Sequence, residues 1–148
     1  MGGKALGTTP ANLYGNVIKA SVLQNRKSVL QFGSYNSYLE AGKYPNQCIG
    51  DADACATGLS VAVIINLNAS ASTWTARTFL VDSIGDKNLG SSRGFAIYVE
   101  QNQIKVTVFS TKTSWSVSSP LSRGAWHHVA FTWLTGLGLQ LYIDGKQK

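Results

Sequence analysis

Acidic residues are scarce in this chain: seven Asp and Glu stand against 13 Lys and Arg in 148 residues, and only Glu40 and Glu100 are glutamates. Glycoside hydrolysis needs two carboxylates facing one bond at roughly 5–9 Å. Glu40 and Glu100 fall in unrelated segments and no E-x-D-x-x-E cluster exists, so that chemistry is not expected. No apolar run reaches about 18 residues, so no segment reads as a membrane-spanning helix. Met1-Gly2-Gly3-Lys4 is not followed by an apolar stretch, which excludes a signal peptide there. No second Cys pair and no His cluster lies near Cys48 and Cys55 to complete a zinc site, and a C-x-x-C redox pair is absent. Helix-turn-helix, zinc-finger and RNA-binding signatures are missing, so nucleic acid is not an expected partner.

What is present argues for one all-β domain. Charged residues make up only 14% and hydrophobic residues 44%, which excludes disorder. A chain of this length buries roughly 68–70% of its unfolded surface, enough for a core without metal. Helical periodicity is hard to find. Short alternating or continuously apolar segments with turn residues between them predict strands over 16–23, 28–32, 37–40, 59–67, 77–83, 94–100, 104–110, 114–117, 127–134 and 139–143. Residues 59–67 read as the central strand, with Leu59, Val61, Val63, Ile65 and Leu67 on one buried face and Ser60 and Asn66 on the other. The net charge of +6 is spread as single cations, with Arg26-Lys27 the only adjacent pair, and reads first as a solvated surface.

Two features carry most of the information. Trp126-His127-His128-Val129-Ala130-Phe131-Thr132-Trp133 is dense in β-formers, and Gly138-Leu139-Gln140-Leu141-Tyr142-Ile143 alternates up to Asp144-Gly145. Asp-Gly predicts a type I′ hairpin turn, because both central positions need φ > 0. Upstream, Cys48 and Cys55 enclose six Gly- and Asp-rich residues, Ile49-Gly50-Asp51-Ala52-Asp53-Ala54. A local disulfide is the preferred reading, stabilising by roughly 2.5 kcal/mol through loop closure. Two free thiols in a cytosolic protein are the alternative.

The tryptophan–histidine block, followed by Leu141-Tyr142-Ile143-Asp144-Gly145-Lys146, resembles the laminin G-like/pentraxin-like group of concanavalin A-like jelly rolls. Leu39 to Cys48, the two-Asp loop, Cys55 and the Gly58-Leu59-Ser60-Val61 strand narrow the resemblance to such domains in adhesion G-protein-coupled receptor ectodomains. The resemblance implies an antiparallel two-sheet jelly-roll β-sandwich, an extracellular location in a secreted or membrane-anchored parent, and recognition rather than catalysis. It divides the chain into an N-terminal extension or added residues over 1–15 and the domain over 16–148. Members continue past the Asp-Gly-Lys turn, so a C-terminally truncated domain is implied.

Candidate sites follow. Neighbouring side chains on a strand point to opposite faces, so His127 and His128 are not expected to share an ion; one packs inward and the other faces solvent. Trp74 and Trp115, in Ser/Thr-rich surroundings, are candidates to stack on a sugar or anchor a protein partner, with a half-buried sandwich edge as the alternative. Trp126 and Trp133 are expected in the core. Asn68-Ala69-Ser70 is an N-glycosylation sequon in a polar loop. Calcium is the one cofactor the resemblance allows, with Asp86 and nearby Asp82 as candidates; Asp51 and Asp53 could chelate, but Asp-rich turns usually need no ion. No catalytic residue is assigned. The expected function is a non-catalytic adhesion or recognition module binding protein or glycan, with sulfated glycosaminoglycan the favoured polyanion. A lectin-type module is the alternative, and a glycan-active enzyme less favoured.

Overall fold

The structure, a computed structural model, describes residues 12–22, 27–33, 37–42, 44, 47–70, 77–83 and 93–148. The chain divides into two compact units, Met1–Lys43 and Tyr44–Lys148.

The first unit contains two antiparallel pairs. β1 (Asn12–Tyr14) pairs with β4 (Tyr38–Glu40), and β2 (Val17–Val22) pairs with β3 (Lys27–Phe32). β1 lies inside the stretch read from sequence as an extension. Its three residues are too short to show a period. The Tyr14 and Tyr38 rings stack at 4.5 Å, and the Tyr14 hydroxyl donates to Glu40 Oε2 at 3.3 Å.

The second unit is the sandwich. One antiparallel sheet has the order β12-β11-β10-β5, from β5 (Leu59–Asn66), β10 (Trp126–Leu134), β11 (Gly138–Ile143) and β12 (Lys146–Gln147). The other has the order β6-β7-β8-β9, from β6 (Thr78–Asp82), β7 (Gly94–Glu100), β8 (Gln103–Phe109) and β9 (Ser114–Pro120). The chain leaves the first sheet after β5, builds the whole second sheet, and returns as β10 beside β5, with Val129 opposite Val63. Asp144 and Gly145 take φ of 51° and 77°, the left-handed pair that a two-residue β11–β12 turn requires.

One apolar core joins the inner faces of the two sheets. Phe95, Ile97, Ile104, Val106 and Val108 meet Val129, Phe131, Trp133, Leu141 and Ile143, all buried. Phe95 and Phe131 pack tilted with centroids 5.3 Å apart.

Strict alternation along β10 turns Val129, Phe131 and Trp133 inward and overturns one expectation. Trp126 is out of phase with that inward set and is 46% exposed, not core. β5 alternates as expected, yet it stands last in its sheet order among the described residues, not in the middle. Period-two burial reports one covered face and says nothing about place within a sheet.

Candidate functional site

The loop after Tyr44 builds one wall of a groove. Cys48 and Cys55 form a disulfide with Cα atoms 4.5 Å apart, and Ala52–Ala54 make a single 3-10 turn between them. Asp51 caps that turn, its Oδ1 accepting the Asp53 N–H at 3.0 Å. Its Oδ2 takes Arg93 Nη1 at 3.0 Å, from the residue just ahead of β7. Asp53 Oδ2 accepts both the N–H and the hydroxyl of Thr111, at 2.9 and 2.7 Å, from the β8–β9 turn. Those Thr111 bonds, helped by Arg93 and Lys112, hold the Asp53 carboxyl below its ordinary value. Both loop aspartates are thereby occupied as turn and cross-loop acceptors. Their chemistry here is to lock three segments together.

The motif glycine after the loop has a steric reason. Gly58 sits at φ +88°, and a Cβ there would fall 2.5 Å from the Trp133 carbonyl oxygen. Only glycine lets the loop close onto the end of β10.

Between the disulfide loop and the β8–β9 turn lies a groove of about 610 Å³. Trp115 and Trp133 line it together with Arg93, Lys112, Thr113 and Thr135. The two indoles meet edge to face at 5.1 Å and 63°. Trp133 is 3% exposed, and its buried Nε1–H has no hydrogen-bond partner among the described residues. A buried unpaired donor costs on the order of 1–3 kcal/mol. A smaller depression of about 260 Å³ near Gly58 and Leu137 carries no charged side chain. The larger groove therefore has the better chemistry for recognition: an aromatic floor, hydroxyls and two cations.

The other candidates are dispersed. Trp115 is half-buried and belongs to the groove, whereas Trp74 and Asp86 lie outside the described residues. Asp82 is exposed at the end of β6, opposite Ala96. Calcium takes six to eight oxygens. Asp82 offers one carboxylate, and no group of three acidic, His or Cys side chains forms among the described residues. Asn68 is exposed, with its Oδ1 accepting the Ser70 N–H at 2.9 Å. Glu100 is bound to Lys105 at 2.7 Å and Arg77 at 3.4 Å, and the Lys105 bond above all keeps its carboxyl below the usual range.

The two histidines part as the strand period requires. His128 is exposed, while the His127 side chain is 12% exposed. His127 Nδ1 lies 2.8 Å from Asp144 Oδ2, and Nε2 lies 2.8 Å from Ser122 Oγ. Sequence reasoning assigned Asp144 only to the turn and passed over Ser122. One G-x-S-x-G string does occur, Gly90-Ser91-Ser92-Arg93-Gly94, but it leads into strand β7, whereas a nucleophile elbow leads into a helix.

A laminin G-type family model described as the concanavalin A-like lectin/glucanases superfamily matches residues 41–148. No curated protein and no solved structure matches the chain. The match runs over nearly the same residues as the sandwich and its disulfide loop. With the two four-stranded antiparallel sheets of its larger unit, the chain belongs to the laminin G-like branch of the concanavalin A-like lectin/glucanase superfamily.

Proposed function

We propose that residues 44–148 act as an extracellular recognition module whose ligand, a saccharide, occupies the groove between the disulfide loop and the β8–β9 turn. One observation carries this reading: a groove lined by the edge-to-face pair Trp115 and Trp133 together with threonine hydroxyls and two cations. A sugar ring offers an apolar face for Trp115 and hydroxyls for Thr111, Thr113 and Thr135. The walls are held by the Cys48–Cys55 bond and the Asp53–Thr111 contacts, so little ordering entropy is lost on binding. A structural disulfide is characteristic of oxidising compartments, which supports placement outside the cell. The exposed sequon at Asn68 agrees with that placement. No helix among the described residues is long and apolar enough to cross a membrane.

A sulfated polyanion draws less support, because each groove cation has a carboxylate nearby, Asp51 bonded to Arg93 and Asp53 close to Lys112. The test is a glycan array with and without calcium, followed by titration of the best binder against the Trp115→Ala variant. Saccharide binding that weakens about tenfold or more in the variant is the expected result, corresponding to roughly 1.4 kcal/mol or more. Binding unchanged by Trp115→Ala would remove the groove from the reading. An empty array would leave a protein ligand. Binding only with calcium would bring Asp82 and Asp86 into the site.

A further inference from the structure

Away from the groove, the start of β10 carries a hydrogen-bonded Ser–His–Asp array whose members come from three places in the chain. Ser122 lies in the loop between β9 and β10, His127 is the second residue of β10, and Asp144 is the first residue of the β11–β12 turn. Asp144 is anchored twice to the strand: its N–H donates to the His128 carbonyl at 2.8 Å, and its Oδ1 accepts the His128 N–H at 2.9 Å. Those two bonds alone would clasp the turn. Its second oxygen is left for His127 Nδ1 at 2.8 Å.

Elementary donor–acceptor logic fixes the rest. An ionised carboxylate can only accept, so Nδ1 carries the proton. The His127 and His128 hydrogen bonds keep Asp144 in that ionised form by lowering its pKa. In the neutral imidazole Nε2 is then the lone-pair nitrogen, and the 2.8 Å contact must run from the Ser122 hydroxyl to Nε2. Ser122 is exposed, whereas the imidazole behind it is nearly covered. The loop that presents it is pinned by the Gly124 N–H to the Leu67 carbonyl at 2.8 Å and by the Arg123 guanidinium to Asn102 Oδ1. A hydroxyl on a base that is itself oriented by a carboxylate is the arrangement of an activated nucleophile.

We propose that Ser122 is a nucleophile toward acyl esters, with His127 as its general base and Asp144 as a positioning residue. This activity goes beyond ligand recognition and does not depend on the groove. Ser122 Oγ bonds to the ester carbonyl carbon as its proton passes to His127 Nε2. The carbon–oxygen bond to the alcohol breaks, and the alcohol departs with that proton. Water then gives a proton to Nε2 and its oxygen to the acyl carbon. The Oγ–acyl bond breaks, the carboxylic acid leaves, and Ser122 recovers its proton. An exposed hydroxyl admits an ester carried on a larger molecule, so the substrate class is an acylated polymer or surface rather than an enclosed small ester.

The test uses the whole chain and a fluorophosphonate probe, which forms an Oγ–phosphorus bond with loss of fluoride, read by peptide mass. Labelling should concentrate on Ser122 rather than on exposed strand serines such as Ser60 and Ser118. Asp144→Asn keeps a residue that tolerates φ > 0 in the turn but reverses the imidazole tautomer. It should lower the labelling rate about 100-fold or more while the chain stays folded at neutral pH, as read from its amide spectrum. A downfield His127 Nδ1–H proton resonance should disappear in the same variant. Hydrolysis of p-nitrophenyl acetate by wild type and Ser122→Ala gives a second readout, since removing an exposed hydroxyl should not unfold the chain. Labelling of Ser122 no faster than of Ser60, an Asp144→Asn rate equal to wild type, or equal ester hydrolysis by Ser122→Ala would each overturn the proposal.

Discussion

Residues 44–148 and the described part of residues 1–43 are both β structure, yet they are stabilised differently. Every buried hydrophobic residue among the described positions belongs to the larger unit, from Ala52 to Ile143. The smaller unit instead exposes Leu13, Ile18, Phe32 and Tyr38, each at 49% or more. Both units satisfy the backbone with antiparallel ladders, so hydrogen bonding is not what separates them. Layering is. Two four-stranded sheets can close apolar faces on each other, whereas a two-stranded pair has no second layer of its own.

The sharpest way to break the comparison is to separate the units. Residues 44–148 produced alone should unfold in one cooperative transition, and residues 1–43 alone should show none by calorimetry or circular dichroism. A sharp transition from 1–43 would reveal a core in that unit and remove the contrast. Smaller in effect is a matched pair of truncations. Phe131→Ala removes a ring that is 0% exposed and faces Phe95, and should cost about 3–5 kcal/mol in urea denaturation. Leu13→Ala, at 54% exposure, should change stability by about 0.5 kcal/mol or less. Equal costs would mean that burial does not divide the molecule as described.

The sheets were legible in the sequence because their information is local. Alternation over Leu59–Asn66, the β-rich Trp126–Leu134 run and the Asp144-Gly145 pair each act within a few residues, and each formed as read. Trp126 was misjudged because bulk was weighed above phase: it falls out of step with Val129, Phe131 and Trp133. Of the groove, Trp115 alone was singled out as a binding residue in the sequence, and its walls were not legible. Its walls come from the disulfide loop, Arg93 and the β8–β9 turn, and Asp53 reaches Thr111 across 58 positions. Nothing in a linear pattern announces such a meeting. The Ser122–His127–Asp144 array was missed for a related reason. The Asp-Gly string already had a complete explanation as a turn, and its side chain acquires a second role only once β10 and β11 are paired.

The gentlest probe of the two-unit description is pH, because the shifted carboxylates and Tyr14 sit at opposite ends of the scale. In the larger unit Asp144, Asp53 and Glu100 all have lowered pKa values, through hydrogen bonds from His127, Thr111 and Lys105 respectively. A lowered carboxyl favours the folded state above its unfolded pKa, near 3.8 for Asp and 4.5 for Glu, because there the folded form gains from the charge. That stability is lost as pH falls through the lower folded values, where the unfolded chain binds more protons. In the smaller unit the charge on Glu40 raises the Tyr14 pKa above 10.0. The sign is therefore reversed: the folded form prefers the neutral phenol, and stability present below pH 10.0 is lost as pH rises through the raised value. Amide spectra recorded across pH should show residues of β5 to β12 weakening first in acid and those of β1 and β4 first in alkali. Both effects should be modest and should shrink with salt, since exposed pairs are screened. Asp144→Asn should flatten the acid response of the larger unit while leaving the Tyr14 titration in place. Loss of both units together at either extreme would show that the two fold as one cooperative body.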